Sequence, residues 1–204
     1  MAASTGTIGF VFEGLIERTL SKLIGPLQVK GYKVKLLGEQ AIRDNFNEQS
    51  LNGVDHLFEL MDVSGNYTHF FMQEKWKIMT NQREVSQFLD CCSRIISRIS
   101  PEKRGKIYRL WVTRSQPSQN GEKSLEEGGA YVIQCMTSQA FLAQMVGQFI
   151  CEVLGDRSLA IPMIASMPSL LPGEEPTAPE VLDTSKTAPT PTIGYKTQVS
   201  VQKV

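Results

Sequence analysis

The sequence predicts an α/β fold: a three-layer sandwich in which a central mixed sheet of about five strands lies between helices. Three observations carry this. Several short runs read as strands, three longer segments repeat their apolar residues at helical spacing, and the two kinds of segment alternate along the chain. At 204 residues the chain suits one domain with a core large enough to need no staples.

The elements follow in order. Phe12, Ile16, Leu20 and Leu23 fall on one helical face over residues 10–24, with Glu13, Glu17 and Arg18 flanking, and Gly25-Pro26 reads as the stop. Gly31–Leu37 alternates like an edge strand. Residues 39–50 are polar and suit a short helix or an ordered loop. Gly53–Leu60 and His69–Trp76 read as two strands folded together by the polar turn Val63-Ser64-Gly65-Asn66. Asn81, with Glu84 three residues on, is a capping box. The helix it opens places Val85, Phe88, Leu89, Cys92, Ile95, Ile96 and Ile99 inward before Pro101 stops it. Ile107–Thr113 is nearly all apolar, as a strand covered on both sides should be. A polar loop over 115–123 leads to a single helical turn at 124–129 and a fifth strand at Ala130–Cys135. Residues 138–154 return to helical period, with Phe141, Leu142, Met145, Val146, Phe149 and Ile150 expected inside.

The expected organisation is therefore a flexible start at 1–9, one α/β domain at 10–157, a loosely packed extension at 158–171, and a disordered Pro/Thr-rich tail at 172–204. Most of the ten prolines lie beyond residue 160, where little apolar area remains to offset ordering entropy.

Composition narrows the function. Lys+Arg and Asp+Glu balance at 21 each, so no global basic charge advertises nucleic acid, and any phosphate binding must rest on locally placed cations. Cys91, Cys92, Cys135 and Cys151 show no CxxC spacing and read as buried thiols of a reducing compartment. No apolar run reaches the ~18–20 residues of a membrane span, and the first residues lack the basic start and apolar core of a secretory signal. The expectation is an intracellular protein, cytoplasmic or nuclear, with no membrane partner. Phosphate-cradling glycine loops are absent, and the two histidines, His56 and His69, form no nucleophile signature with a cysteine.

One constellation suggests chemistry. On a strand Gln73 and Lys75 share a face while Glu74 points the other way, and the hairpin brings Asp55 beside them. Two oxygen ligands and an ammonium at the point where strands diverge suit a divalent metal and a water that attacks phosphate. Each residue also has a plainer reading. Asp55 could cap a loop or pair with an arginine, Gln73 could make cross-strand contacts, and Lys75 could be a solvated strand end. Glu13 could serve only the helix dipole. Trp76 and Lys77 lie where a DNA groove would run, although a packed Trp76 is the simpler expectation, and Gln82 and Gln87 are by default solvent-facing.

An Asp, a hairpin and then Gln-x-Lys resembles the signature of the PD-(D/E)xK, restriction-endonuclease-like, nuclease superfamily. The Gln variant and the Gly53-Val54-Asp55 opening are most similar to its Mrr-type branch. Phe12-Glu13 resembles the pair that opens the first helix there, whose glutamate reaches toward the metal. The resemblance covers residues 10–100 in its ordered elements and extends to about residue 155 with the later strands. It implies a restriction-endonuclease-like sandwich and Mg²⁺- or Mn²⁺-dependent DNA hydrolysis. It also implies a metal held by Asp55, Gln73, the carbonyl of Glu74 and Glu13, with Lys75 assisting the water. DNA is the implied partner, with a homodimer or a separate targeting subunit supplying target choice. The alternative is a nuclease-like fold that has lost catalysis and serves as a binding or scaffold module, favoured by the single sure carboxylate, the neutral charge and the lack of a separate DNA-reading module.

Overall fold

The computed structural model describes residues 5–48, 53–77 and 79–156. Among them is a five-stranded mixed sheet in the order β1-β2-β3-β4-β5, built from Lys33–Gly38, His56–Met61, Tyr67–Lys75, Lys106–Thr113 and Ala130–Gln134. The first three strands form an antiparallel meander, and β4 and β5 are added parallel to β3. Helices α1 (Thr5–Val29), α2 (Glu39–Phe46), α3 (Gln82–Arg98), α4 (Gln119–Glu127) and α5 (Gln139–Val153) complete the α/β architecture.

Alternation of side chains along the strands divides the core in two. Phe58, Leu60, Phe70, Met72, Leu110 and Val112 join Phe12, Ile16, Leu20, Leu23 and Leu27 of α1 and Leu142, Val146 and Ile150 of α5. On the opposite face Leu57, Phe71 and Trp111 pack against Val85, Phe88, Cys92 and Ile95 of α3. Strand β4 is thus covered on both sides, as its near-continuous apolar run demands. The α3 capping box forms in full: Asn81 Oδ1 accepts from the Glu84 amide at 3.0 Å while Glu84 Oε2 accepts from the Asn81 amide at 3.1 Å.

The structure corrects several local expectations. Helix α1 starts at Thr5 and runs through Gly25-Pro26 to Val29. Proline in a helix interior costs roughly 3 kcal/mol. Against that, the extra turn carries Leu27 into complete burial, worth about 1.5–3 kcal/mol for such a side chain. The helix closes instead at Gly31, whose φ of +89° is strained for any other residue. Of the two forms expected for residues 39–50, the short helix is the one seen, over Glu39–Phe46. The expected single turn at 124–129 is a nine-residue helix opened by Ser118, whose hydroxyl accepts from the Gly121 amide. Phe141, expected inside, is 53% exposed, because Leu142 takes the inward position of that turn. Cys91, Cys92 and Cys151 are buried, whereas Cys135 is partly exposed. The expected extension and tail beyond residue 157 lie outside the described residues. Among the described residues no helix is long and apolar enough to cross a membrane.

Candidate functional site

Asp55 lies immediately before β2 rather than within it. Its amide donates to the Met72 carbonyl at 2.8 Å, so the residue is held on the ladder at the open end of the β2–β3 hairpin. From there its carboxylate meets the end of β3. Asp55 Oδ2 accepts from the Gln73 side-chain amide and, at 2.6 Å, from the Glu74 backbone amide. Gln73 is 2% exposed and Glu74 3%. The strand parity read from the sequence holds: Gln73 and Lys75 share the α3 face with Phe71, and Glu74 shares the α1 face with Met72. Asp55 stands between the two faces, bonded to one residue's side chain and the next residue's backbone.

Electrostatics ties the same groups together. Burial, more than any other influence, pushes the Asp55 carboxyl above its ordinary range, while the Lys75 ammonium, the Glu74 amide and His56 pull it back. Glu13, half-buried on α1, is likewise raised by burial and by the Asp55 charge, and is opposed by Lys75 and His56. The Lys75 ammonium makes no hydrogen bond or close ion pair among the described residues and acts on these carboxylates only through space. A cavity of about 380 Å³ opens between α1, the start of α2 and the start of β2, with Glu13, Glu17, Glu39, Asp55 and His56 on its walls. The structure thus brings Glu13, Asp55, Gln73 and Lys75 to one end of the sheet. The Glu74 side chain goes to the far face.

The sequence reading missed what Glu74 does there. Its Oε1 lies 2.7 Å from His56 Nδ1 in a pair whose side chains are 0% and 7% exposed. Burial opposes the charged imidazole, but the neighbouring Glu74 carboxylate outweighs it and raises His56 to about 9. Burial likewise lifts Glu74 to about 7. The pair therefore holds its protons more tightly than the separate residues would. A usable signal was present: in a hairpin that sets His56 opposite Met72, Glu74 is one diagonal step away on the same face. Glu17 and Glu39 on the cavity wall had no such signal, since only tertiary packing of α1 and α2 places them.

Among the described residues no three Asp, Glu, His or Cys side chains are grouped so as to hold a metal ion. The donor chemistry nonetheless suits a cation. Burial raises the proton affinity of both Glu13 and Asp55, and the Asp55 charge raises Glu13 further, a potential that a positive ion relieves. The Gln73 amide supplies a hard oxygen after a half-turn about its terminal bond.

Trp76 follows Lys75, half-buried, with its ring centroid 5.4 Å from that of Phe12. This is the packed position expected of it. Lys77 pairs with Glu84 on the outside of α3. Gln82 is exposed, while Gln87 is partly buried.

No protein-family model matches the chain, and no curated protein matches it. Among solved structures it is similar to the MspJI restriction endonuclease in complex with a 27-mer oligonucleotide, at 14% identity and a TM-score of 0.32. The match covers 86% of this chain and 39% of that one, so the chain spans about two-fifths of that enzyme's length.

Proposed function

We propose that the chain is a divalent-metal-dependent phosphodiesterase acting on DNA, of the PD-(D/E)xK kind and nearest to its Mrr-type branch. The observation that supports this best is the single cluster formed by Asp55, Gln73, the Glu74 backbone and Lys75, with Glu13 across the cavity. Asp55, Glu13, Gln73 and the Glu74 carbonyl would hold Mg²⁺ or Mn²⁺. When bound, such an ion supplies Lewis acidity toward a phosphoryl oxygen and lowers the pKa of water. Lys75, partly buried and without a hydrogen-bonded partner on its ammonium, stabilises charge that builds on phosphate oxygens during attack. The Glu74 amide and the Gln73 side chain fix the Asp55 carboxylate in one orientation, so that its second oxygen is presented without reorganisation. Target choice would come from a second copy or a separate subunit.

A second reading is a nuclease-like module without catalysis that binds or scaffolds. It is favoured by the internal saturation of Asp55 Oδ2 and by the absence, among the described residues, of a three-group metal cluster. Plasmid cleavage with Mg²⁺ or Mn²⁺ separates the two. The phosphodiesterase reading expects cutting by the wild type and a loss of about a hundredfold or more in Asp55→Asn and in Lys75→Ala, with both variants folded. No cutting by the wild type under any metal and pH leaves the scaffold reading.

A further inference from the structure

The three parallel strands end side by side. Lys75 pairs with Thr113 and Thr113 with Gln134, and the ladder continues one residue further, with the Arg114 amide donating to the Lys75 carbonyl at 3.1 Å and the Cys135 amide to the Thr113 carbonyl at 3.2 Å. Trp76, Arg114 and Cys135 therefore leave the sheet side by side, with Met136 next along the chain, at the end that carries Asp55 and Lys75. The Arg114 guanidinium lies over the Trp76 ring, 5.4 Å from its centroid, and its Nε donates to the Met136 carbonyl. Arg114 forms no ion pair among the described residues, whereas the Lys75 ammonium acts on the nearby carboxylates of Asp55 and Glu13. Apolar side chains are also exposed on the segments that follow these strands. Met79 is 80% exposed, Met136 69%, and Phe141, in the first turn of the helix that follows β5, 53%.

A guanidinium with no carboxylate partner, an aromatic ring and exposed apolar side chains, with the Lys75 ammonium alongside, form an unusual surface for a chain with no net charge. Duplex DNA offers mainly phosphates and groove edges, its base faces being stacked on one another, and gripping it requires many phosphate contacts. An unpaired strand offers free base faces as well as phosphates, and binds where aromatic and guanidinium planes alternate with a few cations. We infer that this end of the sheet seats an unpaired strand of DNA, its bases against Arg114, Trp76 and Met136 and a phosphate on Lys75. The substrate class is then single-stranded or locally melted DNA. This rests on the phosphodiester reading of the Asp55–Lys75 cluster, which it supplies with a path for the strand.

The test is binding, measured on the full chain with chelator present so that no cleavage enters. The protein has two tryptophans, and Trp111 is fully buried, so Trp76 reports the surface. A mixed-sequence single-stranded oligonucleotide should quench its fluorescence saturably and bind at least about tenfold more tightly than the same sequence as duplex. Arg114→Gln and Met136→Ser should each weaken the single strand by roughly tenfold and leave duplex binding nearly unchanged, with circular dichroism as in the wild type. Equal or tighter duplex binding overturns the inference. So does unchanged affinity in both folded variants, or sedimentation showing that a second copy covers the surface. The outcomes for the two claims separate. A protein that prefers single strands and never cuts keeps this surface and loses the phosphodiesterase, whereas one that cuts duplex without such preference does the reverse.

Discussion

Replacing His56 with phenylalanine keeps a ring in the core and removes the partner of Glu74. The wild-type imidazole rises from its ordinary 6.5 to about 9 in the folded protein, held there against burial by Glu74, with the preceding Asp55 and Glu17 from α1 adding to the attraction. At about 1.4 kcal/mol per pKa unit the rise is worth roughly 3 kcal/mol. Because the folded pKa is the higher one, that stability is fully present below about 6.5 and is lost as pH rises through 9. Glu74, itself lifted to about 7, would be left as a buried, protonated carboxyl with a pH dependence of its own, so Glu74→Gln accompanies the change. Urea denaturation followed by circular dichroism should show the double variant His56→Phe/Glu74→Gln with a deficit against the wild type that shrinks by roughly 3 kcal/mol or more as pH rises from about 6 to about 9.5, because both raised groups release their protons over that range. A deficit that does not change with pH, or that grows in alkali, would refute the account of the pair.

Three other outcomes are expected. Gln73→Glu adds a carboxylate beside Asp55, so calorimetric Mg²⁺ or Mn²⁺ affinity should rise, while without metal the like charge should lower the melting temperature; an unchanged titration would mean that residue 73 does not face a metal. Glu84 is held below its usual range by Lys77 and the Asn81 amide, which more than offset its partial burial. Its contribution is therefore lost as pH falls below the ordinary carboxylate range, and Asn81→Ala should cost about 1 kcal/mol at neutral pH and less in acid. Gly105→Ala would set a methyl 1.7 Å from the Tyr67 carbonyl oxygen, a backbone atom that cannot swing aside, so the variant should express as aggregate or melt many degrees lower.

Much of the fold was legible because period and punctuation agreed. The α3 stripe and its Asn81–Glu84 box specify the same helix, and the alternation of β1 and the apolar saturation of β4 announce an edge and a centre. The failures share a cause. Gly25-Pro26 and Phe141 were read from local preference, whereas their states depend on what α1 and α5 pack against, and that is decided by tertiary contact. At the site, strand parity and the short turn placed Asp55, Gln73 and Lys75 correctly, since both are local rules. The His56–Glu74 pair required the diagonal of the hairpin, and the acidic wall from Glu17 and Glu39 required the docking of two helices, which no short pattern encodes.

The middle of β3, Phe70-Phe71-Met72, is buried and apolar on both faces of the sheet, so a slip of one residue against β2 would still put hydrocarbon against hydrocarbon. What forbids it stands at the strand's two ends. At one, Asp62 Oδ1 accepts from the Ser64 and Asn66 amides and closes the turn; at the other, His56 meets Glu74 and Asp55 meets Gln73. A slipped hairpin would strand Glu74 among the apolar side chains of α3 and send Gln73 and Lys75 toward α1, away from their present surroundings. The polar groups that make the chemistry possible thus also act as the alignment marks by which the growing sheet distinguishes its correct pairing from a near-equivalent neighbour. Substitutions at these positions should therefore be examined for misaligned, aggregation-prone hairpins before any loss of activity is assigned to chemistry.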